Sequence, residues 1–396
     1  MKKIKVKDLG QVVTGHTPPT AQREYYGDLY PFLKPTDMTI GQRFTHITEE
    51  GYSDLAAKKY QKSLIPKGST CVVCIGTIGE KMSMAPCDLF TNQSINSIIP
   101  DEQNFDPYYV FYLLKHNLHR VKLLNKGTAS GREFVSKTTF LDLEIDVFED
   151  MDIQKRIAAI LSTYDDLIEN NQKQIKLLEE AAQRLYKEWF VDLRFPGWET
   201  AKIVDGVPEG WELSVLDNIC SLSKPVITPQ KMPRDSAYIG LEHMPRKSIC
   251  LSEWGNSNDV NSNKFRYVED DILFGKIRPY FHKVGFALNS GVASTDSIIM
   301  KAKDKMWCLL LMTVSSAAFV DYSSTTCKEG SKMPRADWEH MKVYPVLLPD
   351  DDILNQFNDF IWRVTRQIKT LALQNRAIAE ARDRLLPKLM SGELEV

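Results

Sequence analysis

Two stretches about 200 residues apart each carry an apolar seam at alternating spacings of three and four. The first runs Leu161, Tyr164, Ile168, Asn171, Ile175, Leu178, Ala182, Leu185 and Trp189; the second runs Ile361, Val364, Ile368, Leu371, Asn375, Ile378, Arg382, Leu385 and Leu389. That spacing is a heptad seam, and each run is roughly forty residues long against a mean of about twelve for ordinary helices. A single apolar stripe of this length demands a partner stripe. Each seam holds one Asn. If the two helices run antiparallel with Asn171 facing Asn375, then Ile168 faces Ile378, Leu178 faces Ile368 and Leu185 faces Ile361. Tyr164 would lie opposite Arg382, which could stack on its ring or bond its hydroxyl, and every other layer would be apolar. A one-heptad slip would strand each amide against an aliphatic neighbour at about 1 to 3 kcal/mol. The competing reading puts each Asn at a wet edge of the seam.

The remainder of the chain repeats with the seams. Ser94, Ser97, Ile98 and Ile99 align with Ser294, Ser297, Ile298 and Ile299; Ile153, Gln174, Glu180, Ala181, Arg184 and Leu185 meet identical residues at 353, 374, 380, 381, 384 and 385. Nearer the start of each copy the offset drifts, so that Leu9 and Val12 match Leu216 and Ile219, as expected where loops change length. Each copy is one variable module followed by one long helix. β-Branched runs at residues 70–75, 97–99, 298–300 and 343–348, punctuated by Gly and Pro, predict mixed α and β modules.

Composition narrows the function classes. Fifty Lys and Arg against 52 Asp and Glu leave a net charge of -2, so any contact with nucleic acid needs local basic surface rather than a bulk positive field. Seven scattered cysteines form no disulfide framework and fit a reduced, cytoplasmic setting. The longest greasy run, residues 307–320, is interrupted by Thr313, Ser315 and Ser316 and reads as a core element, with no membrane partner expected. At about 1.5 Å per residue, residues 153–190 would span roughly 55 Å. Two similar modules at opposite ends of a stiff rod, related by a pseudo-twofold axis, match the geometry by which symmetric proteins read half-sites one or more helical turns apart on DNA.

At these residues the chain resembles the specificity subunit of type I restriction-modification systems. The resemblance rests on QKRIAAILSTYDDLIENNQKQIKLLEEAAQRLYKEWFVDL at 154–193, on FPGWE and GVPEGW between 195 and 211, and on RDRLLPKLMSGELEV at 382–396. TGHTPPTAQREYYGDLYPFLKPTDM at 14–38 is similar to the opening of a target-recognition domain, whereas the second module departs from it with SLSKPVITP at 221–229. The resemblance implies an α+β fold: target-recognition domains at 1–150 and 196–350, separated by a long antiparallel two-helix coiled coil from 151–195 and 351–396, with an internal pseudo-twofold repeat. It implies a non-catalytic reader of bipartite double-stranded DNA whose helix pair sets the gap and docks two methyltransferase subunits. Those partners would methylate adenine N6 with S-adenosylmethionine, and a restriction and motor subunit would complete the complex. No cofactor is expected in this chain. An orphan methyltransferase without nuclease, and a coiled-coil adaptor for proteins only, are the alternative readings.

Candidate DNA contacts fall in loops present in both copies. Lys126, Gly127, Thr128, Ser130 and Arg132 in the first module parallel Lys328, Gly330, Ser331, Lys332 and Arg335 in the second. Glycine admits close backbone approach to a phosphate, and hydroxyls and cations bind its oxygens; a plain surface turn is the competing view. Lys276, Arg278, Tyr280 and Lys283 interleave basic and aromatic groups suited to base edges, or else decorate a solvated hairpin. The corresponding residues 75–82 are Gly-rich with Lys81 alone basic, so the modules are expected to read different sequences. Cys71 and Cys74 read as buried strand cysteines, His116 and His119 as a solvated helix face. Asp165, Asp166, Glu169, Lys173 and Lys176 read as an exposed flank of the seam or a docking face. No nucleotide-binding glycine loop, nucleophile elbow, zinc-protease motif or adenine-methyltransferase tetrapeptide is present, so catalytic residues are expected to be none and metal none.

Overall fold

The computed structural model describes residues 1–125, 133–325 and 333–396. It divides into two compact units, the first made of residues 1–168 and 377–396 and the second of residues 169–376. Both long helices pass through the division. The central helix runs Met151–Tyr186 and closes in a wider turn at Lys187–Val191; the C-terminal helix runs Asp351–Ser391. Each starts at the same point of the repeat for the same reason. Asp150 Oδ1 accepts from the Asp152 and Ile153 amides, and Asp350 Oδ1 from the Ile353 amide, so a carboxylate caps the otherwise unpaired donors of the first turn.

In the first unit an antiparallel sheet has the order Gly10–Thr14, Ile95–Pro100, Thr70–Val73, Met82–Met84. A second, smaller sheet places Tyr26–Leu33 between Gly51–Tyr52 and a short parallel partner, Phe90–Thr91. Lys2–Lys5 pairs with Glu144–Val147, the strand that feeds the central helix. The helix Pro107–Leu123 packs Tyr109, Tyr112, Leu113 and Val121 into a core shared with Ile157 and Leu161 of the central helix and Leu386, Leu389 and Met390 of the C-terminal helix.

The second unit repeats this plan and enlarges it, with Val226–Ile227 and Lys264–Tyr267 extending the smaller sheet to five strands and a hairpin of Ile203–Val204 with Val207–Pro208. Cys220–Ser223, Ser297–Ala302, Ile272–Gly275 and Val284–Ala287 follow the same order, and Cys250–Leu251 adds a parallel edge where the first unit has only the bridge between Phe44 and Met84. Ala237–Ile239 lies between Gly255–Asn256 and the parallel strand Gly291–Ala293, and Glu212–Val215 pairs with Pro345–Leu348 ahead of the C-terminal helix. The greasy run forms two short helices, Trp307–Val314 and Ala317–Ser324, bent by 73° at Ser315 and Ser316 and largely buried. Among the described residues no single helix is long and apolar enough to cross a membrane.

The helix pair is antiparallel within each unit. In the second, the Asn171 side-chain amide donates to Asn375 Oδ1 at 2.9 Å, and Ile175, Leu178 and Leu185 pack in one core with Ile361, Val364 and Ile368; Leu371 is buried beside them in the seam. In the first, the expected layer of Tyr164 against Arg382 is replaced by a charged one. Arg382 Nη1 donates to Asp165 Oδ1, its Nε donates to Asp383 Oδ1 at 2.9 Å, and the Tyr112 hydroxyl donates to Asp165 Oδ2 at 2.6 Å. Asp165 is thus an interior residue, 2% exposed, rather than part of a solvated flank. The reason is electrostatic: a guanidinium buried to 3% exposure needs a carboxylate to offset its desolvation, which an aromatic face alone does not supply. Asp166 does face solvent, but holds the buried Arg43 guanidinium at 2.5 Å. Lys173 and Lys176 are exposed, and Tyr164, Ile168, Ile378 and Leu385 are partly buried.

Candidate nucleic-acid interface

The same connection is built in both units at the end of the central sheet strand. In the second unit, the turn after Ile272–Gly275 is zipped to residues 334–336. Ile277 bridges Arg335, the Arg278 amide donates to Pro334 O at 2.8 Å, and the Ala336 amide donates to Lys276 O at 2.9 Å. In the first unit, Ile75 bridges Phe134, the Gly76 amide donates to Glu133 O at 3.1 Å, and the Val135 amide donates to Cys74 O at 2.9 Å. The fold therefore joins two segments that the sequence keeps about sixty residues apart. Lys126, Gly127, Thr128, Ser130 and Arg132, together with Lys328, Gly330, Ser331 and Lys332, lie outside the described residues, immediately before these zipped segments.

The four basic and aromatic positions of residues 276–283 divide into two kinds. Lys276 Nζ donates to Thr295 O at 3.2 Å and Lys283 Nζ to Leu241 O at 2.5 Å, and burial lowers the pKa of both ammonium groups. These two hold the turn in place. Arg278 and Tyr280 point outward, and Tyr280 is 53% exposed. Arg278 and His282 both adopt left-handed backbone, at φ 50° and 54°, flanking the tight turn Pro279–Phe281. Such conformations cost about 1 to 3 kcal/mol each and persist only where the surroundings hold them. Here His282 Nε2 bonds Ser315 O at 2.8 Å, and the Phe281 ring lies 4.0 Å from the Arg246 guanidinium and 5.8 Å from that of Arg278. Arg335 adds a second outward cation, steadied by Asp296 at 3.3 Å.

The first unit has no such turn. Gly76 and Gly79 take left-handed backbone, and a Cβ on Gly79 would sit 2.5 Å from the Lys122 Cβ, so a bulkier turn cannot close here. Lys81 is committed to Pro35 O at 2.8 Å. Cys71 and Cys74 are buried in and beside the strand Thr70–Val73, and burial pushes their thiols up to about 12 and about 11. His116 is half-buried and His119 exposed on the helix Pro107–Leu123.

The first unit's cationic surface lies elsewhere, where the sequence reading did not place it. An open cleft of about 600 Å³ is lined by Lys58, Lys59, Lys62, Lys137, Gln11 and Gln61, with no carboxylate in its wall. Lys58 and Lys59 end the short helix Asp54–Lys59, capped by Ser53; Lys62 follows in the turn Gln61–Ser63. Lys137 opens the helix Lys137–Leu141, and Gln11 comes from the edge strand Gly10–Thr14. Three lysines within five residues resemble an ordinary solvated helix end; their convergence with Lys137 and Gln11 is a product of the tertiary fold.

Comparisons with known proteins agree with this architecture. Residues 1–180 match a family described as type I restriction modification DNA specificity domain. The chain is 26% identical to the MjaIX type I restriction enzyme specificity subunit of Methanocaldococcus jannaschii, over 99% of this chain and 93% of that one. It is 34% identical to the HindI specificity subunit of Haemophilus influenzae over 42% of this chain and 37% of that one. The crystal structure of the S subunit of a type I restriction-modification system from M. genitalium superposes with a TM-score of 0.57 at 14% identity, covering 98% of this chain and 95% of that one. With a duplicated module, an antiparallel helix pair and this similarity along its whole length, the chain is similar to type I restriction-modification specificity subunits, and its residues 1–180 match the DNA specificity domain of that family.

Proposed function

We propose that each module reads one half of a bipartite double-stranded DNA target, that the helix pair fixes the unread gap, and that its outer flanks dock two methyltransferase subunits. Those subunits carry S-adenosylmethionine and transfer its methyl group to adenine N6; a restriction and motor subunit joins them in the full complex. This chain contributes position, delivering an adenine to a partner's pocket into which the base is flipped. The observation that carries the reading is the duplication of one sheet plan with different side chains on the matching connections: Arg278 and Tyr280 in one, a glycine turn in the other. Duplicated scaffold with unlike contact loops is what a two-part, asymmetric target requires.

Module exchange tests it. Residues 1–150 are replaced by the equivalent module of another specificity subunit, and modified adenines are mapped in cells that also make the methyltransferase subunit. One half of the methylated motif should change while the other half and the gap stay the same. Methylation indifferent to the exchange would defeat the reading.

A further inference from the structure

The lysine-lined cleft of the first unit shares no residue with the connection between residues 74–76 and 133–135 or with the helix seams. We infer that it is a binding site for the phosphodiester backbone of duplex DNA, with Lys58, Lys62 and Lys137 as its phosphate contacts. The inference rests on the reading of this chain as a DNA-recognition subunit and deepens it by assigning a contact surface in the first module.

The chemistry of the wall is one-sided. Four lysines and two glutamines line an open concavity without a lining carboxylate, in a chain whose net charge is -2. Such a local concentration of cations is costly through mutual repulsion unless an anion shares it. Lys62 and Lys137 are exposed and have no carboxylate partner among the described residues. Lys58 has only Asp54, in an exposed pair four residues away along one helix, which a phosphate can displace at small cost. Lys59 differs, since its ammonium bonds the Tyr25 hydroxyl at 2.6 Å and lies over that ring, which steadies the wall. At the floor, His16 and Tyr60 have ring centroids 4.4 Å apart, and the Tyr52 hydroxyl donates to His16 O, so the concavity is braced from below.

The second unit supplies an internal control. The segment that follows the equivalent strand, Gly255–Asn256, is the turn Ser257–Asp259 and residues 260–263, Val-Asn-Ser-Asn, with no lysine. The next cation, Lys264, is 8% exposed and donates to Ser262 Oγ at 2.6 Å. The same scaffold position is thus cationic in one module and neutral to acidic in the other, and the cluster is not a by-product of the fold.

The test uses the full chain co-purified with its methyltransferase subunit, binding duplex DNA that carries the mapped target, over a range of salt concentrations. The K58Q/K62Q/K137Q variant should lower the slope of log affinity against log salt by about 2 to 3, at about 0.9 per lost phosphate contact. Discrimination between target and scrambled first half-site should stay the same, because phosphate contacts position without specifying. The K58R/K62R/K137R variant should retain the slope. A K3Q/K67Q variant, which removes two exposed lysines elsewhere on the unit, should leave it unaltered. An unchanged slope in the glutamine variant, or an equal loss in K3Q/K67Q, would overturn the cleft assignment while leaving DNA recognition intact. Failure of the unmodified complex to bind any duplex would instead overturn the underlying reading and the cleft with it. All three positions are exposed, so thermal stability should not fall and should rise slightly as their repulsion is relieved, and the single K62Q variant, expected to lower the slope by about 1, covers any loss of folding in the triple one.

Discussion

The helix pair carries one polar layer in each unit, and the two layers are of opposite character. In the second unit it is an amide pair, Asn171 with Asn375, among aliphatic neighbours. In the first it is a buried ionic cluster of Arg382, Asp165 and Asp383, extended by Tyr112 and by Lys115, whose ammonium lies 3.8 Å from Asp383. Both layers penalise a shifted register, but by different amounts. A stranded neutral amide costs about 1 to 3 kcal/mol, whereas a buried charge deprived of its partner costs about 3 to 5 kcal/mol. The amide pair joins one helix directly to the other. The ionic layer reaches beyond it to the helix Pro107–Leu123, so in the first unit it ties the module to the helix pair as well as one helix to the other.

Breaking the ionic layer should give the largest effect. R382M leaves Asp165 buried without its cation and should lower urea-induced unfolding stability by about 3 to 5 kcal/mol. The double variant D165L/R382M should recover most of the loss, since replacing both partners with apolar groups is often near neutral. A double variant as unstable as the single one would mean that the cluster contributes more than mutual compensation.

Lys115 sharpens the contrast through pH. Burial, aided by the Arg382 guanidinium, lowers its pKa to about 8, against the opposing pull of Asp165 and Asp383. Below pH 8 the group is charged in both folded and unfolded chains, and its burial penalty is present in full. Between about pH 8 and 10.5 the folded protein releases the proton while the unfolded chain retains it, so stability rises with pH by about 3 kcal/mol before levelling off. Unfolding curves across that range should show the rise in the unmodified protein and lose it in K115M.

The amide layer should respond more gently. N171L should destabilise by about 1 kcal/mol through loss of the hydrogen bond to Asn375 Oδ1, less than the ionic layer, and N171L/N375L should regain part of it. Cysteines introduced at positions 168 and 378 should then cross-link less uniformly in the double variant, because a register specified by apolar contacts alone admits slippage. Uniform cross-linking would show that the ionic layer sets the register unaided.

The smallest stability effect belongs to the turn Pro279–Phe281. R278A should change unfolding stability by no more than about 0.5 kcal/mol at an exposed site, yet weaken discrimination at one half-site by about 1 to 3 kcal/mol if the guanidinium grips a base. Equal weakening on every sequence would reassign Arg278 to the backbone.

The seams, the antiparallel direction and the matched asparagines were legible in the sequence, because a heptad stripe has one solution and a lone polar residue within it has few. Asp165 was not. The Asp165–Asp166 pair sits beside the stripe, and only Tyr112 and Lys115, from a helix some fifty residues earlier, make one of its members interior. Strand order was hidden for a similar reason: the parallel pairings of Phe32 with Phe90 and of Tyr238 with Val292 leave no local trace. Among candidate contacts, residues 276–283 showed the right composition without showing which side chains turn inward. The cleft of the first unit was illegible because Lys137 and Gln11 reach it from distant positions.

If the two modules read unlike half-sites, as proposed, they should leave a two-part record on DNA, and that record is the most direct measurement. Cells co-expressing this chain with its methyltransferase subunit would be sequenced for N6-methyladenine. The account expects a single motif of two dissimilar specified blocks, separated by a constant number of unspecified base pairs, with one modified adenine in each block. One uninterrupted motif, or methylation without sequence preference, would contradict it.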